Sequence, residues 1–356
     1  MDFGIAALGT THPHVSVRLD VARRMEGVKL IGVADDDADN AESVETLANH
    51  LEVPIMSSKE VLERDDVHGL VVEPWTYEMV DTSIRALEAG KSVLVEKPGG
   101  SNPSDLQRLA DAEKSSSGVV QVGYNFRFSP MVDLAREILS SGILGKVVQA
   151  QVHAAGPAGD ATNRWFNLPD DIGGCFWEDG CHIMDIIIDL FGVPNGVTAR
   201  ISKFSSVSGE DSLEDAAVTA LEYDDMLLAF DFTSWEANDW LETWQFSFYG
   251  TEGTFRFRMI PETYELYLKT AKDGYRAGWN RWNETSFATP WAGEPTPWEK
   301  WHIVANKSFF FREIDAFVQA ARGGSSRIPA AHAQDIARVM DACFRSSAGG
   351  GQHVSP

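Results

Sequence analysis

Basic residues are scarce in this chain. Its 356 residues carry 30 lysines and arginines against 53 aspartates and glutamates, for a formal net charge of −23 at pH 7. A nucleic-acid partner needs a basic face to neutralise phosphates, and an anionic membrane surface needs the same, so neither partner is expected. Long hydrophobic runs are missing too: no apolar stretch reaches the roughly 18 residues of a membrane span. Cysteine is sparse. Cys175, Cys181 and Cys343 make no disulfide framework and fit no standard zinc spacing. The opening Met1-Asp2-Phe3-Gly4-Ile5 lacks the basic start and cleavage site of a signal peptide and reads as a first strand. Repeats and low-complexity tracts are absent. These absences predict a soluble, cytoplasmic protein. Its acidic surface serves either plain solubility or a salt-rich interior that screens self-repulsion.

What is present is enough apolar material, 44% of residues, for two domains with separate cores. Up to residue 123, short β-branched runs alternate with amphipathic segments. The runs are Phe3–Leu8, Val28–Ala34, Gly69–Val72, Ser92–Val95 and Val119–Val122; the helical patterns are Val15–Met25, Ala38–His50, Tyr77–Ala89 and Asp105–Lys114. This rhythm predicts an α/β domain over 1–123, a doubly wound parallel sheet with helices on both faces. Beyond it, strand-like stretches follow one another at Val147–His153, Val197–Phe204, Ala216–Tyr223, Met226–Trp235, Glu242–Tyr249 and Thr254–Met259. Many of them alternate apolar with polar residues, which predicts an α+β domain over 124–348 with a large, mostly antiparallel open sheet. Helical patterns at Phe309–Ala321 and His332–Ser346 can pack on either domain. Residues 349–356 read as a disordered tail.

The turn Gly9-Thr10-Thr11-His12-Pro13-His14 joins the first strand to a helical pattern. Backbone N–H groups and the helix dipole at such a place can hold a pyrophosphate. The G-x-G-x-x-G fingerprint is depleted, with Ala7 and His12 at its outer glycine positions, and a tight turn without ligand explains Gly9 equally well. Asp35 ends the second strand, where an acid can hold ribose hydroxyls and repel a 2′-phosphate, which favours NAD over NADP; capping the next helix is the other use of this acidic run.

Two further segments carry chemistry. Lys97 follows a strand end, in Val95-Glu96-Lys97-Pro98, and projects either into a ligand cleft or into solvent. Glu178, His182 and Asp185 share one face if the segment after Gly173-Gly174 is a single helix. A carboxylate beside an imidazole can tune it for proton transfer; a surface ion pair and a metal site with Cys181 are the competing readings. No second close-spaced His/Cys pair supports the metal, and none is expected.

These segments resemble the glucose-fructose oxidoreductase / inositol 2-dehydrogenase / MocA (Gfo/Idh/MocA) family. The resemblance rests on Ala89-Gly90-Lys91-Ser92-Val93-Leu94-Val95-Glu96-Lys97-Pro98 and on Gly173-Gly174 followed by Glu178-Asp179-Gly180-Cys181-His182-Ile183-Met184-Asp185. Gly123–Phe128, Ser141–Gly145, Tyr249–Thr254 and Arg312-Glu313-Ile314 add to it, in matching order. It implies an N-terminal Rossmann domain and an NAD-dependent dehydrogenase acting on a sugar, inositol or related polyol. By the same resemblance Lys97 bonds the reacting oxygen, His182 is the acid/base, and Glu178 stands where the family usually has aspartate. Asp185 belongs to the supporting shell or a substrate contact. Glu96 and Pro98 shape the cofactor edge, with Lys97–Pro98 a candidate cis bond. Pro74 is the one match in Glu73-Pro74-Trp75-Thr76-Tyr77-Glu78 to a threonine-proline-asparagine run of the family. Relatives that retain NAD for lyase or glycosidase chemistry, or that only bind a dinucleotide as regulators, are the alternative readings.

Eight of the eleven tryptophans fall between Trp235 and Trp301. Trp279, Trp282, Trp291 and Trp298 suit either a sugar platform or the packing of a sheet and an oligomer interface. Trp165, with Arg164 and Asn163 beside it, is the better pocket candidate. The family resemblance implies a homodimer or homotetramer through the second sheet.

Overall fold

The computed structural model describes residues 2–156, 174–204, 214–236, 243–283 and 307–356. Contacts divide the chain into two units, Met1–Asn125 with Pro290–Ala337, and Phe126–Thr289 with Arg338–Pro356.

The first unit is built on strands β1 (Phe3–Leu8), β2 (Val28–Ala34), β3 (Ile55–Met56), β4 (Gly69–Val72), β5 (Ser92–Glu96) and β6 (Val120–Gly123). Their order is β3-β2-β1-β4-β5-β6, and every pairing is parallel. Strands covered on both faces must be apolar throughout, and β1 and β4 are buried at every position. Helices α1 (His14–Ala22), α2 (Ala41–Leu51), α3 (Ser58–Glu63), α4 (Thr76–Glu88) and α5 (Pro103–Ser115) connect them. The sequence reading omits β3 and α3, although Ser57 and Glu60 form a capping box at the start of α3. In this strand order the winding across the sheet changes sense between β1 and β4, the place where open α/β sheets take ligands.

A late segment completes this unit. The helix over Lys307–Ala321 inserts Phe310, Ile314, Phe317 and Val318 into one core with Ile5, Val17, Leu19 and Val71. The division expected at 123 therefore omits a piece of the first unit that is distant in sequence.

The second unit carries an eight-stranded sheet in the order β14-β13-β12-β11-β7-β10-β9-β8. Its strands are β7 (Val147–Ala155), β8 (Gly196–Ser202), β9 (Ala216–Glu222), β10 (Leu227–Thr233), β11 (Gln245–Gly250), β12 (Gly253–Met259), β13 (Glu262–Leu268) and β14 (Gly278–Asn283). Only β7 and β10 pair in parallel. Residues of β9 and β10 alternate exposed and buried, as one solvated face requires. Phe230, Phe246, Phe248, Phe255 and Phe257 fill the inner face, over which α6 (Pro130–Ser140) and α8 (Gly180–Phe191) pack. The last helices are α9, the Lys307–Ala321 segment, and α10 (Ala330–Ala348).

The chain end departs from the disordered tail read in the sequence. Val354 pairs with Val197 at the β8 edge, with N···O distances of 2.8 and 2.9 Å in the two directions. Ser346 donates to the Gln352 carbonyl and Arg345 to that of Ser355. Three glycines let the chain turn back after α10, and β8 supplies backbone partners. No helix among the described residues is long and apolar enough to cross a membrane.

Candidate functional site

In the first unit the β1–α1 loop lies against the ends of β2 and β4. Gly9 has φ +84°, and a Cβ there would sit 2.5 Å from the Pro74 nitrogen. Glycine is therefore needed for close approach of two backbones at the switch point, whatever binds there. Asp35, at the end of β2, accepts from both the N–H (2.8 Å) and the hydroxyl (2.7 Å) of Thr10, and from the side-chain amide of Asn40. Its other oxygen accepts from the Asp37 N–H at 2.9 Å. Asp37 accepts from the Asp39 N–H at the next helical turn and from the Trp75 indole, so capping falls to Asp37 and loop bracing to Asp35.

The loop is more self-contained than the sequence predicts. The N–H of Gly9 goes to the Ala34 carbonyl, that of Thr10 to Asp35, and that of Thr11 to the Glu73 carbonyl. Pro13 has no N–H, and the His14 N–H donates to His12 Nδ1 at 3.2 Å. An incoming phosphate would exchange these bonds for its own, a swap near neutral in number and favoured by charge.

Behind the loop lies a buried charge cluster. Arg18, on α1, donates Nε–H to Glu313 at 2.8 Å, a terminal N–H to Glu73 at 2.7 Å, and another to Glu96. It also reaches the Gly123 carbonyl at 3.3 Å. Arginine and all three carboxylates are 0% exposed, which makes any member of the cluster costly to leave unpaired. His14 Nδ1 lies 3.2 Å from Glu96, and His12 Nδ1 lies 3.7 Å from Glu73 and 3.9 Å from Glu96. Burial opposes the Arg18 charge, but Glu313, Glu96 and Glu73 together keep the guanidinium firmly protonated. Burial likewise opposes ionisation of Glu96, yet Arg18, His12 and His14 hold its pKa well below the ordinary value. Burial pushes Glu73 well above that value and raises Glu313, with Arg18 opposing both. It also lowers both histidines, against Glu96. The cluster is thus one arginine and one carboxylate firmly charged, with two carboxylates and two imidazoles biased toward neutrality.

Glu96 and His12, expected at the cofactor, turn their side chains into this cluster. Arg18, His14, Glu73 and Glu313 are its members that the site reading misses. One signal was available for Arg18: α1 is buried on nearly all sides, so a charge within it needs buried partners. Lys97 follows β5, is 4% exposed, and acts electrostatically on His12 and His14. The Lys97–Pro98 bond is cis, and Tyr124 donates its hydroxyl to the Pro98 carbonyl at 3.4 Å.

In the second unit the predicted single helix is two. A short α7 (Cys175–Glu178) ends at Asp179 before α8 begins at Gly180. Glu214 caps α7, accepting from the N–H groups of Gly174, Phe176 and Trp177 at 2.8, 3.1 and 3.3 Å. Gly180 meets Phe176 in close contact, a Cβ there falling 3.0 Å from the ring, which makes glycine natural at the break. Glu178 and His182 stand on opposite sides of this break, at 0% and 3% exposure. The His182 ring meets the Phe126 ring edge-on at 4.9 Å, with Trp244 beyond at 6.4 Å. Trp244 is itself fixed by an indole hydrogen bond to the Ala155 carbonyl. Asp185 commits both oxygens to Arg127, whose other arm holds Asp189. Its position is that of a brace between α8 and the chain preceding α6.

Arg164, Trp165 and Asn163 lie outside the described residues, as do Trp291 and Trp298. Trp279 and Trp282 stand on the edge strand β14, four places from β7, or roughly 19 Å along the sheet. All three cysteines are buried, and none forms a disulfide. Burial pushes the Cys175 and Cys343 thiols up to about 12, which leaves them inert as nucleophiles.

Comparison with known proteins bears on both units. Residues 4–124 match the model described as oxidoreductase family, NAD-binding Rossmann fold, of the GFO/IDH/MocA group, and residues 132–256 match the GFO/IDH/MocA C-terminal domain. An inositol 2-dehydrogenase of Gluconacetobacter diazotrophicus is 31% identical over 156 residues, 43% of this chain and 45% of that protein. A levoglucosan dehydrogenase of Pseudarthrobacter phenanthrenivorans is 22% identical over 82% of this chain and 80% of its own. With several curated relatives the shared region spans only 33–45% of their length. An oxidoreductase from Agrobacterium radiobacter, solved with NAD+, L-tartaric acid and magnesium, superposes with a TM-score of 0.83 at 14% identity, covering 100% of this chain and 98% of that one. At that identity the likeness is one of fold.

Proposed function

The chain belongs to the Gfo/Idh/MocA oxidoreductase family, and from that premise we propose that it is an NAD-dependent dehydrogenase acting on a hydroxyl of a sugar, inositol or related polyol. The observation that carries the reading is Asp35, a half-buried carboxylate at the end of β2 bonded directly to Thr10 in the loop after β1. That is the place for an acid that binds ribose hydroxyls. Asp36 and Asp37 beside it add negative charge that disfavours a 2′-phosphate, hence NAD over NADP. Gly9, Thr10, Thr11 and the backbone of His12 would hold the pyrophosphate, with Pro74 as the opposing wall. Glu96 and Pro98 act indirectly, by fixing the chain on either side of Lys97.

The dinucleotide, when bound, supplies the hydride acceptor; the protein supplies proton handling and orientation. Lys97 is assigned the stabilisation of negative charge on the reacting oxygen, for which a buried ammonium is worth far more than one in water. His182 is assigned the hydroxyl proton, which a neutral imidazole can take near neutrality. Phe126 and Trp244 restrict its ring, and Glu178, at the end of α7, is its candidate partner. Asp185 acts as a positioning residue through Arg127. Arg164 and Trp165 remain candidates for substrate contact, and a homodimer or homotetramer through the second sheet remains the proposed assembly.

The test is a panel of sugars, inositols and polyols with NAD and NADP, followed at the reduced-nicotinamide absorbance. Lys97→Ala and His182→Ala are each expected to lower turnover by about 10²–10⁴-fold while calorimetry still detects NAD binding to His182→Ala. Failure of the wild type to bind either dinucleotide would sink the reading. Binding with substrate conversion but no net reduced cofactor would replace it with cofactor-recycling lyase or glycosidase chemistry.

A further inference from the structure

The buried cluster behind the β1–α1 loop holds more convergent acceptors than the dinucleotide reading uses. Arg18 donates to Glu73 Oε1 and Glu96 Oε2, taking one oxygen of each carboxylate. The remaining oxygens, Glu73 Oε2 and Glu96 Oε1, turn toward His12 Nδ1 at 3.7 and 3.9 Å. Glu96 Oε1 and Oε2 stand 3.3 and 3.2 Å from His14 Nδ1. One ligand atom each from His12, His14 and Glu96 lies within 4.8 Å of the others. Glu73 Oε2 is fully buried and has no hydrogen-bond partner among the described residues.

The His12 distances are too long for hydrogen bonds, those of His14 are at the long end, and all are close to right for ligands that share a cation. A four-coordinate ion with bonds of about 2.0–2.2 Å sets its ligand atoms roughly 3.3–3.6 Å apart. Charge points the same way. Burial biases Glu73 and Glu313 toward neutrality, and if all three buried carboxylates Glu73, Glu96 and Glu313 ionise they outnumber Arg18 and Lys97, a deficit that a divalent ion would make good. Two imidazoles with two carboxylates suit zinc-type ions, whereas magnesium and calcium prefer shells of oxygen alone. The sequence missed this because the ligands come from three places: His12 and His14 from the loop, Glu73 after β4, and Glu96 from β5.

We propose that His12, His14, Glu96 and Glu73 bind one divalent ion of the zinc type, His12 Nδ1 giving up its long 3.2 Å bond from the His14 N–H to do so, with Arg18 as the outer group that orients both carboxylates. The ion staples the loop after β1 to the ends of β4 and β5. It is a structural ion behind the loop and takes no part in the chemistry proposed above.

The test uses the full chain, stripped with chelator and free of dinucleotide, titrated with Zn²⁺ by calorimetry and with Co²⁺ by visible absorption. One ion per chain is expected, with a rise in melting temperature on Zn²⁺ addition. His14→Gln and Glu73→Gln should each weaken uptake by at least about tenfold and suppress the melting shift. His153→Ala is the control, because His153 is also flanked by carboxylates, Asp231 and Glu236, at 2.5 and 3.1 Å; it should leave the titration unchanged. Circular dichroism establishes that each variant is folded, and Glu73→Gln, which keeps side-chain volume, decides the matter if His14→Gln is not. The proposal is overturned if the wild type takes up no stoichiometric ion, if both glutamine variants bind as the wild type does, or if His153→Ala abolishes uptake. NAD titration of the same stripped protein reports separately on the dehydrogenase reading.

Discussion

Replacing Arg18 with leucine tests the electrostatic account of the first unit most directly. Leucine fits an apolar helix environment, so the change isolates loss of the cation from loss of packing as far as one substitution can. It leaves Glu73, Glu96 and Glu313 at 0% exposure with their shared donor gone. Removing one partner of a buried pair costs about 3–5 kcal/mol, equivalent to a fall in melting temperature of roughly 6–20 °C for a unit of this size. The pH dependence sharpens the test. In the wild type the folded-state pKa values of Glu73 and Glu313 are raised, so their contribution is fully present at low pH. It is lost as pH rises from about 4.3, the ordinary glutamate value, through the folded values. Glu96 is depressed, so its contribution is present above that value and is lost as pH falls below it. Without Arg18, Glu96 keeps only the weaker support of His12 and His14 against burial, and it shifts toward the other two. The deficit of the variant should therefore be larger at pH 8 than at pH 6, by up to about 2.7 kcal/mol for each additional proton the cluster takes up. Urea unfolding at both pH values in chelator measures this. A deficit below about 1 kcal/mol, or one that does not change with pH, would refute the reasoning.

Three other perturbations follow from the geometry. Gly9→Ala meets both the left-handed backbone and the Pro74 wall, and should cost about 2–4 kcal/mol in urea unfolding. Asp35→Ala removes the carboxylate that braces Thr10 and repels a 2′-phosphate. Calorimetry should find NAD bound more weakly and the NADP-to-NAD affinity ratio raised roughly tenfold, about 1.4 kcal/mol; an unchanged ratio would remove Asp35 from the ribose site. Arg127→Met leaves Asp185 buried without its guanidinium and should lower stability by about 3–5 kcal/mol, read as a shift in the urea midpoint.

The sequence was most readable where burial is uniform. Phe3–Leu8 and Gly69–Val72 have the bounds expected of them, because strands covered on both faces are written as unbroken apolar runs; Val28–Ala34 does too, although Lys29 near its start is exposed and only its last four residues are buried. Strands β13 and β14 were not read, since Glu-Thr-Tyr-Glu-Leu-Tyr-Leu and Gly-Trp-Asn-Arg-Trp-Asn are only partly buried and gain their stability from cross-strand pairs such as Arg281 with Glu265. Helix α6 escaped despite Ser129 before Pro130, a capping serine followed by proline at the first helical position. In the loop after β1, the tight turn at Gly9 and the place of Asp35 at the end of β2 were legible because their signals are local. Arg18 was not: its partners lie 55, 78 and 295 residues away in the chain. The division between α7 and α8 was hidden for a different reason, since Glu178, His182 and Asp185 have helical spacing whether or not Asp179 interrupts the helix.

The backbone pairing of Val354 with Val197 has a consequence for solubility. An outermost strand offers unpaired N–H and C=O groups to any other extended chain, and proteins blunt such edges by covering them. Here the final residues occupy the β8 margin of the sheet, making it a poorer template for strand addition. Trimming residues 352–356 should therefore cost less in folding free energy than in colloidal behaviour: a chain still folded, but prone to self-association along β8 as its concentration rises.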